Sequence, residues 1–324
     1  KELPRMHPAR AHAPGKIILF GEHAVVHGQP AIAVPLAAVQ ARVEAIPDNL
    51  GSGLTVRAPD VDRTLHVESE FDALADETDP LYNALLFPLQ VGLDALNAPV
   101  PDLAITVRSS IPIASGLGSG AALATALIRA LALALGRPLS EEALNALVYE
   151  VEKRHHGNPS GIDNTVIVYE RPVYFVRGTP PTPFTIGAPF TLVVADTGVN
   201  SPTRLTVADV GRLLEEAPER ITPIFERIGA IACEARAAIE AGQASALGPL
   251  MTENHTLLDK LTVSSPELND LCAAARAAGA LGAKLSGGGR GGNMIALVTP
   301  ERAPVIARAL QEAGATSVFI TSVS

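Results

Sequence analysis

Small residues crowd the start of one long apolar helix pattern in the middle of the chain. The segment that leads into this pattern, residues 112–122, reads Pro-Ile-Ala-Ser-Gly-Leu-Gly-Ser-Gly-Ala-Ala. Glycines let backbone amides approach a ligand, and a helix N-terminus offers unpaired N–H groups and a partial positive charge. The segment therefore predicts a phosphate cradle. The alternative is an ordinary strand-to-helix turn, which the concentration of small residues at one helix start makes less attractive.

This segment fits neither of the two common phosphate-binding motifs. It lacks the Gly-Lys-Ser/Thr ending of a P-loop. Its glycines fall at 116, 118 and 120, which is the wrong spacing for a dinucleotide fingerprint. The following helix also leads to another helix, whereas a dinucleotide fold needs a second parallel strand there. The cradle must therefore take its lysine from elsewhere, and Lys16 is available.

Lys16 stands at the start of a short apolar strand that ends in a Gly-Glu-His turn. The stretch 14–28 reads Pro-Gly-Lys-Ile-Ile-Leu-Phe-Gly-Glu-His-Ala-Val-Val-His-Gly. Taken alone, it is better explained by a surface lysine at a strand start followed by a polar turn. His23 and His27 lie four residues apart, but no third ligand accompanies them, so a zinc site is not expected.

The third segment carries two carboxylates. Asp163 is the last residue of the motif His-Gly-Asn-Pro-Ser-Gly-Ile-Asp, and Glu152 lies four residues before the motif begins. Glu152 lies four residues after Val148 and borders the apolar stripe of a predicted helix, where carboxylates seldom occur without a partner or a metal. Asp163 follows a Pro-Ser-Gly turn that can hold its side chain in a cleft. The alternative for Asp163 is a solvated turn aspartate.

A fourth segment, 284–293, reads Lys-Leu-Ser-Gly-Gly-Gly-Arg-Gly-Gly-Asn between two predicted strands. A flexible linker is one interpretation. Its place inside a predicted hairpin favours another, a loop kept small so that something can approach it closely.

The apolar periodicity predicts the elements that must position these segments. Strands are predicted at 16–20, 31–45, 54–67, 103–108, 165–169, 173–176, 190–196, 283–286, 293–298 and 316–321, and helices at 81–96, 120–135, 140–156, 266–278 and 301–313, with mostly helical residues from 203 to 261. Four prolines between 178 and 189 mark the best boundary, so we expect one domain at 1–186 and a second at 187–324.

Composition limits the class of protein. The 324 residues are 47% hydrophobic and 18% charged, enough to bury a sizeable core. The net charge of -9 argues against nonspecific nucleic-acid binding. The longest apolar run is too short to span a bilayer, and no apolar signal core precedes Ile17, so a cytoplasmic location is expected. Cys233 and Cys272 are expected to be buried thiols.

Taken in order, the four segments resemble the GHMP kinase superfamily and, within it, the mevalonate kinases. The Gly-Leu-Gly-Ser loop marks the superfamily, whereas Gly-Glu-His-Ala-Val-Val and His-Gly-Asn-Pro-Ser-Gly-Ile-Asp are more specific. The resemblance covers residues 14 to 298. It implies a two-domain α+β architecture, with an N-terminal α+β domain that binds ATP and substrate, a C-terminal ferredoxin-like α/β sandwich, and the active site between them.

The resemblance also assigns roles to individual residues. Asp163 matches the catalytic aspartate, and Lys16 matches the lysine that accompanies it. Glu152 matches the magnesium-binding glutamate, and Ser119 matches a loop serine near metal and phosphate. The expected ATP-binding residues are Pro112, Ala114, Ser115, Gly116, Leu117, Gly118, Ser119, Gly120 and Ala121. The expected substrate-binding residues are Lys16, Glu22, His23, Ser160, Asp163 and Thr203, and the expected late Gly-rich loop is Gly287, Gly288 and Gly289.

Two departures from the family pattern stand out. Gly120 replaces the second serine of Gly-Leu-Gly-Ser-Ser-Ala, so a magnesium ligand at that position would have to be Ser119, water or backbone. Arg290 interrupts the late glycine run, where it could add positive charge near a phosphate or point to solvent.

The resemblance implies Mg²⁺-dependent transfer of phosphate from ATP to mevalonate in isoprenoid precursor synthesis. It implies ATP and mevalonate as the small-molecule partners. We expect no nucleic-acid or membrane partner, and a homodimer is one open possibility. The alternatives are a related kinase acting on phosphomevalonate, homoserine or a sugar, a decarboxylase of the superfamily, or a noncatalytic ligand-binding regulator.

Overall fold

The computed structural model describes residues 6–69, 71, 79–112, 115–156, 159–200 and 203–324, with the side chains at 155 and 156 excepted. The strands are β1 Ala9–Phe20, β2 Ala31–Pro47, β3 Leu54–Ala58, β4 Arg63–Val67, β5 Leu103–Ser109, β6 Val173–Phe175, β7 Thr182–Pro183, β8 Phe190–Asp196, β9 Gly282–Ser286, β10 Asn293–Val298 and β11 Ser317–Val323. The helices are α1 Phe87–Leu96, α2 Ser119–Ala134, α3 Glu141–His156, α4 Ile162–Tyr169, α5 Thr203–Glu216, α6 Pro218–Glu240, α7 Leu247–Lys260, α8 Pro266–Ala277 and α9 Ala303–Glu312.

The contacts divide the chain into two compact units, each assembled from separate stretches of sequence. The first unit contains Lys1–Gly15, Val39–Ile113 and Gly118–Glu170. The second unit contains Lys16–Ala38, Ala114–Leu117 and Arg171–Ser324. The long strands β1 and β2 each contribute residues to both units. A domain boundary at residue 186 stays a prediction.

In the first unit, a sheet accompanies a group of packed helices. Strand β5 pairs antiparallel with the C-terminal part of β2 and parallel with β3, and β3 forms an antiparallel hairpin with β4. Helix α2 contacts α1, α3 and α4 and is buried on almost every side. Its alanines allow this close approach, because a small side chain lets neighbouring helices pack near the helix axis.

The segment 165–169 was predicted as a strand from its β-branched residues, and this prediction is wrong. These residues belong to α4, where Thr165 to Val168 are all buried. Gly161 begins the helix with a φ of 82°, and the Thr165 hydroxyl donates to the Gly161 carbonyl oxygen at 2.7 Å. Burial against α2 and α3 therefore overrides the strand preference of Val and Ile.

In the second unit, four antiparallel strands form a sheet in the order β11-β8-β10-β9. The chain passes from β8 through helices α5–α8 to the β9–β10 hairpin, and then through α9 to β11. This strand order and alternation define a ferredoxin-like sandwich, as expected. The helices cover the sheet with an apolar core that includes Val193, Phe225, Ile228, Leu258 and Met294.

One of the two cysteines differs from the prediction. Cys272 is buried in the core of the second unit, but Cys233 on α6 is exposed, and its thiol lies 3.4 Å from the Tyr174 hydroxyl. The Ala-rich sequence around Cys233 is typical of a buried helix, yet this residue occupies the outer face of α6.

Candidate active site

The residues of the predicted phosphate cradle belong to both units: residues 115–117 are part of the second unit, and residues from Gly118 onward are part of the first. Gly118 precedes the helix with a φ of 76°, and Ser119 is its first residue. The first-turn N–H groups of a helix have no partner within the helix and carry partial positive charge. Gly116 also has a positive φ of 74°, and open space surrounds the position that a Cβ would occupy. The backbone here can approach an anion closely.

Glu152 lies beside this helix start. Its side chain is buried on α3, and a Cβ built on Gly120 would lie 3.5 Å from its Oε1 atom. A buried carboxylate beside the serine and the glycine that begin α2 is a donor set that suits Mg²⁺, which takes one or two protein carboxylates together with phosphate oxygens. The described part of the chain holds no group of three His, Cys, Asp or Glu side chains placed to share a metal ion.

Asp163 lies in the first turn of α4. Gly161 adopts the left-handed conformation that begins the helix, and the Ser160 hydroxyl accepts a hydrogen bond from the Ile162 N–H at 3.3 Å. The next residue, Asn164, donates from its amide to the Asn145 side chain at 2.7 Å, which ties α4 to α3. Asp163 therefore lies in the turn at the positive end of a helix dipole.

Lys16 lies in the part of β1 that belongs to the second unit. Its side chain is largely buried, and its backbone N–H donates to the Leu117 carbonyl oxygen at 2.9 Å. The Asn293 amide donates to the Ser115 carbonyl oxygen at 2.6 Å. Two residues of the predicted ATP-binding segment are therefore tied to the Lys16 strand and to β10.

The Glu22 carboxylate is buried in the second unit and forms an ion pair with Lys284. Its other oxygen accepts a hydrogen bond from the Asn254 amide at 3.3 Å. The Lys284 ammonium group also donates to the Leu285 carbonyl oxygen at 2.6 Å. Burial lowers the pKa of Lys284, and the nearby carboxylate of Glu22 opposes this shift.

His23 is buried next to Glu22 with a positive φ of 61° and a ψ of -51°. Its Nε2 atom lies 2.9 Å from the Gly288 carbonyl oxygen. A carbonyl oxygen can only accept, so Nε2 carries the proton and Nδ1 of the neutral ring is an acceptor. Burial lowers the pKa of His23 to about 4. No donor among the described residues reaches the buried Nδ1 atom.

The late Gly-rich loop is the turn of the β9–β10 hairpin, with Ser286 opposite Asn293. Several of its glycines are required because neighbouring parts of the protein approach them closely. A methyl group at position 288 would overlap the Thr203 side chain, and one at position 289 would overlap the Val263 carbonyl oxygen. The loop is therefore kept small, as the sequence indicated, so that the start of α5 and the residues after α7 can pack against it.

Arg290 has partners within the second unit, and its suggested place near a phosphate stays a prediction. Its guanidinium forms an ion pair with Asp209 on α5 and donates to the Thr262 carbonyl oxygen at 3.1 Å. Its backbone N–H donates to the Val263 carbonyl oxygen at 2.8 Å, and its φ is 56°. Arg290 therefore fastens the Gly-rich loop to the segments around it.

The structure thus gathers the predicted residues into two groups, one in each unit. In the first unit it brings Gly120, the residue after Ser119, next to Glu152. In the second unit it joins Glu22 and His23 to β9 and the Gly-rich loop, with Thr203 beside Gly288. Pro112 is among the described residues. Ala114 lies outside them, as do positions 157 and 158 of the third motif.

Sequence reasoning missed two buried side chains of the second unit, Lys284 beside Glu22 and His255 beside β9. Lys284 was noted only as the first residue of the Gly-rich segment, although a lysine between Ala283 and Leu285 in a buried strand was a signal. His255 on α7 carried no signal. Its Nδ1 atom accepts a hydrogen bond from the Leu285 N–H at 3.2 Å, and its Nε2 atom lies 3.0 Å from the side-chain Oδ1 atom of Asn269. Burial lowers the pKa of His255 to about 4.

The family comparison agrees with both units. Residues 86–171 match the model of the GHMP kinases N terminal domain, and residues 235–316 match that of the GHMP kinases C terminal domain. The chain belongs to the GHMP kinase family. Among the described residues, no helix combines the length and apolar character that a membrane crossing requires.

The similar proteins share one printed name. The chain is 38% identical to a mevalonate kinase of Pyrococcus horikoshii over 94% of its own length and 92% of that protein. It superposes on the Methanococcus jannaschii mevalonate kinase with a TM-score of 0.85 and 26% identity, covering 99% of this chain and 100% of the other. It superposes on L. major mevalonate kinase in complex with R-mevalonate with a TM-score of 0.82 and 29% identity, covering 100% and 98%.

Proposed function

We propose that the chain transfers the γ-phosphoryl group of ATP to the primary hydroxyl of mevalonate. The observation that carries this proposal is the 38% identity to a mevalonate kinase across 94% of the chain. Such a transfer needs positioning and charge stabilisation more than covalent chemistry. The roles proposed below supply both.

On the nucleotide side, we propose that the backbone amides of residues 116–120 bind the phosphates. Their support is the positive φ of Gly116 and Gly118 and the start of α2 at Ser119. Helix N-termini are ready anion sites because their N–H groups and dipole both favour negative charge.

Glu152 and Ser119 would hold Mg²⁺ in this proposal. When bound, the ion neutralises charge on the β- and γ-phosphate oxygens. The fit rests on two oxygen donors, the buried carboxylate of Glu152 on α3 and the hydroxyl of Ser119 at the start of α2. Gly120 leaves the space next to Glu152 without a side chain.

On the acceptor side, we propose that Asp163 accepts the proton of the reacting hydroxyl, or orients that hydroxyl. Lys16 would neutralise the charge that develops on the transferred group. Glu22, His23, Ser160 and Thr203 would bind the rest of the acceptor. His23 would offer Nδ1 as an acceptor, because its Nε2 proton is taken by Gly288.

These acceptor-side residues favour mevalonate over phosphomevalonate. A second phosphate would call for several Lys or Arg donors near the reacting end. Three of the cations that could have been recruited have other contacts, whereas Arg204 near the start of α5 is exposed. Lys153 pairs with Glu150 at 2.7 Å, the Arg154 guanidinium donates to Asn83 at 2.9 Å, and Arg290 pairs with Asp209.

ADP release by the purified protein, measured with mevalonate, phosphomevalonate, homoserine and galactose, tests the proposal. We expect the highest kcat/KM with mevalonate. Equal or higher kcat/KM with phosphomevalonate would contradict the acceptor assignment. Activity on only homoserine or galactose would contradict mevalonate as the acceptor and would leave only membership of the GHMP kinase family. Nucleotide binding without turnover on any acceptor would favour a noncatalytic regulator. The cytoplasmic location and the homodimer stay predictions.

A further inference from the structure

Two alternating positions of β9 and a third in the loop just after it contact one short stretch of the N-terminal segment. Lys284 pairs with the Glu22 carboxylate, the Ser286 hydroxyl donates to the Ile18 carbonyl oxygen at 2.6 Å, and the Gly288 carbonyl oxygen accepts from His23 at 2.9 Å. Side chains at positions 284 and 286 share a face of the strand, because the period of a strand is two. We refer to Lys284, Ser286 and Gly288 as the β9 clasp.

The stretch that the clasp contacts begins two residues after Lys16 and ends at His23. Its final turn is unfavourable by itself at His23, a non-glycine residue with a φ of 61°. A non-glycine residue keeps a positive φ only where its surroundings impose it. A Cβ at Gly21 would overlap the backbone of Pro30 and Ala31, so the turn is also packed closely on its other side.

Lys284 is the charged member of the clasp, and its side chain has no exposure to solvent. One Glu22 oxygen contacts this ammonium, and the other accepts from Asn254 at 3.3 Å. The carboxylate of Glu22 is therefore fixed in both position and rotation. Strand β9 is itself held at its outer edge, where the Leu285 N–H donates to His255.

We propose that the β9 clasp, with Lys284 as its charged anchor, positions the Glu22–His23 turn to bind the acceptor substrate. Lys284 acts through Glu22 and is a positioning residue. The inference rests on the proposed function for the identity of the acceptor, whereas the positioning of the turn follows from the contacts of the second unit. An ion pair that only stabilised the core would have no selective effect on acceptor binding.

Steady-state kinetics of Lys284→Met and Ser286→Ala test the proposal. Methionine keeps the length of the lysine side chain and removes its charge, whereas Ser286→Ala removes one hydrogen bond and threatens folding least. For both variants we expect the KM for mevalonate to rise, on the order of 10-fold for Lys284→Met, because small displacements of binding groups are costly. We expect the KM for ATP to stay within about twofold of wild type.

Arg236→Met is the matched control. It also removes a cation from the second unit, one that pairs with Glu240 at 3.0 Å and covers the Tyr174 ring at 4.7 Å. We expect it to leave both KM values unchanged. If Lys284→Met and Ser286→Ala lower only the amount of active protein, with both KM values as in wild type, the pair is purely structural and the proposal is wrong.

A spectroscopic measurement separates this inference from the proposed function. The ring ¹⁵N shifts of His23 report its Nε2-protonated form and require no substrate. We expect these shifts to change in Lys284→Met and Ser286→Ala and to stay constant in Arg236→Met. Unchanged His23 shifts in both clasp variants would overturn the proposal, even if wild type phosphorylates mevalonate. Altered shifts, with no mevalonate turnover by wild type, would instead overturn only the proposed function.

Discussion

Gly120 lies directly beside the carboxylate of Glu152, and a Cβ at position 120 would lie 3.5 Å from Oε1. This distance is an ordinary van der Waals contact, so the site has room for a small side chain. The family pattern has a serine at this position. A hydroxyl restored there would lie next to the carboxylate that we propose as a magnesium ligand.

We therefore expect Gly120→Ser to lower the Mg²⁺ concentration that gives half-maximal activity, because it adds an oxygen donor beside Glu152. A magnesium titration of ADP release measures this effect. Gly120→Ala is the matched control, since it adds the same Cβ without the hydroxyl. Both variants should raise Tm, because glycine costs a helix up to about 1 kcal/mol relative to alanine. An equal magnesium response in both variants would contradict a role for the hydroxyl.

Glu152→Gln should raise the Mg²⁺ requirement, on the order of 10-fold, because the buried oxygen pair loses its negative charge. The same titration measures the change. Glu150→Gln is the control, because Glu150 lies on the same helix but is exposed and pairs with Lys153. An unchanged titration for Glu152→Gln would assign Glu152 to a structural ion pair.

Asp163→Asn should keep the fold and nucleotide binding but reduce kcat by roughly 10²–10⁴-fold, the usual contribution of a general base. Single-turnover kinetics and ATP titration measure the two effects separately. Glu170→Gln, just beyond the opposite end of α4, removes a carboxylate that pairs with Arg129 at 2.9 Å and should keep near-normal turnover. Activity of Asp163→Asn within a few-fold of wild type would refute the assigned role.

The stability of the protein should fall as pH decreases from about 6.5 to about 4. His23 and His255 each have a pKa near 4 in the folded protein, mainly because they are buried, against 6.5 for an ordinary histidine. The unfolded chain therefore binds more protons in this window, and acid favours unfolding. One pKa unit corresponds to about 1.36 kcal/mol, so the loss should reach several kcal/mol.

Calorimetric Tm values between pH 7 and pH 4 test this expectation. His23→Gln and His255→Gln should each flatten the decline of Tm on the acid side. His66→Gln, which replaces an exposed histidine on β4, should leave the decline as in wild type. A Tm independent of pH in wild type would show that neither imidazole is buried in the neutral form.

Local sequence patterns predicted most of the elements, because their signals come from neighbouring residues. Ser140 was expected to cap α3, and its hydroxyl accepts from the Ala143 N–H at 3.2 Å. The strand prediction for segment 165–169 is wrong for the opposite reason. Its conformation is decided by burial against other helices, which a run of β-branched residues does not reveal.

The motifs of the candidate site were visible in the sequence, but the interactions that hold them were not. The Glu22–Lys284 pair joins residues 262 positions apart. The proton position in His23 depends on the backbone of Gly288, again far away in sequence. Arg290 was expected near a phosphate or in solvent, because nothing in its local sequence indicates Asp209 as its partner.

The second unit includes Lys16–Ala38 as well as Arg171–Ser324, and this has a consequence for synthesis on the ribosome. The Glu22 carboxylate is made early, but its counter-ion is residue 284. At about 5–20 residues per second, the two are separated by roughly 13–50 seconds of translation. During that interval the apolar stretch around Glu22 cannot complete its packing, so co-translational folding of this unit must wait until nearly the whole chain has emerged. A fragment beginning at residue 187 would face the converse problem of a buried lysine without its carboxylate.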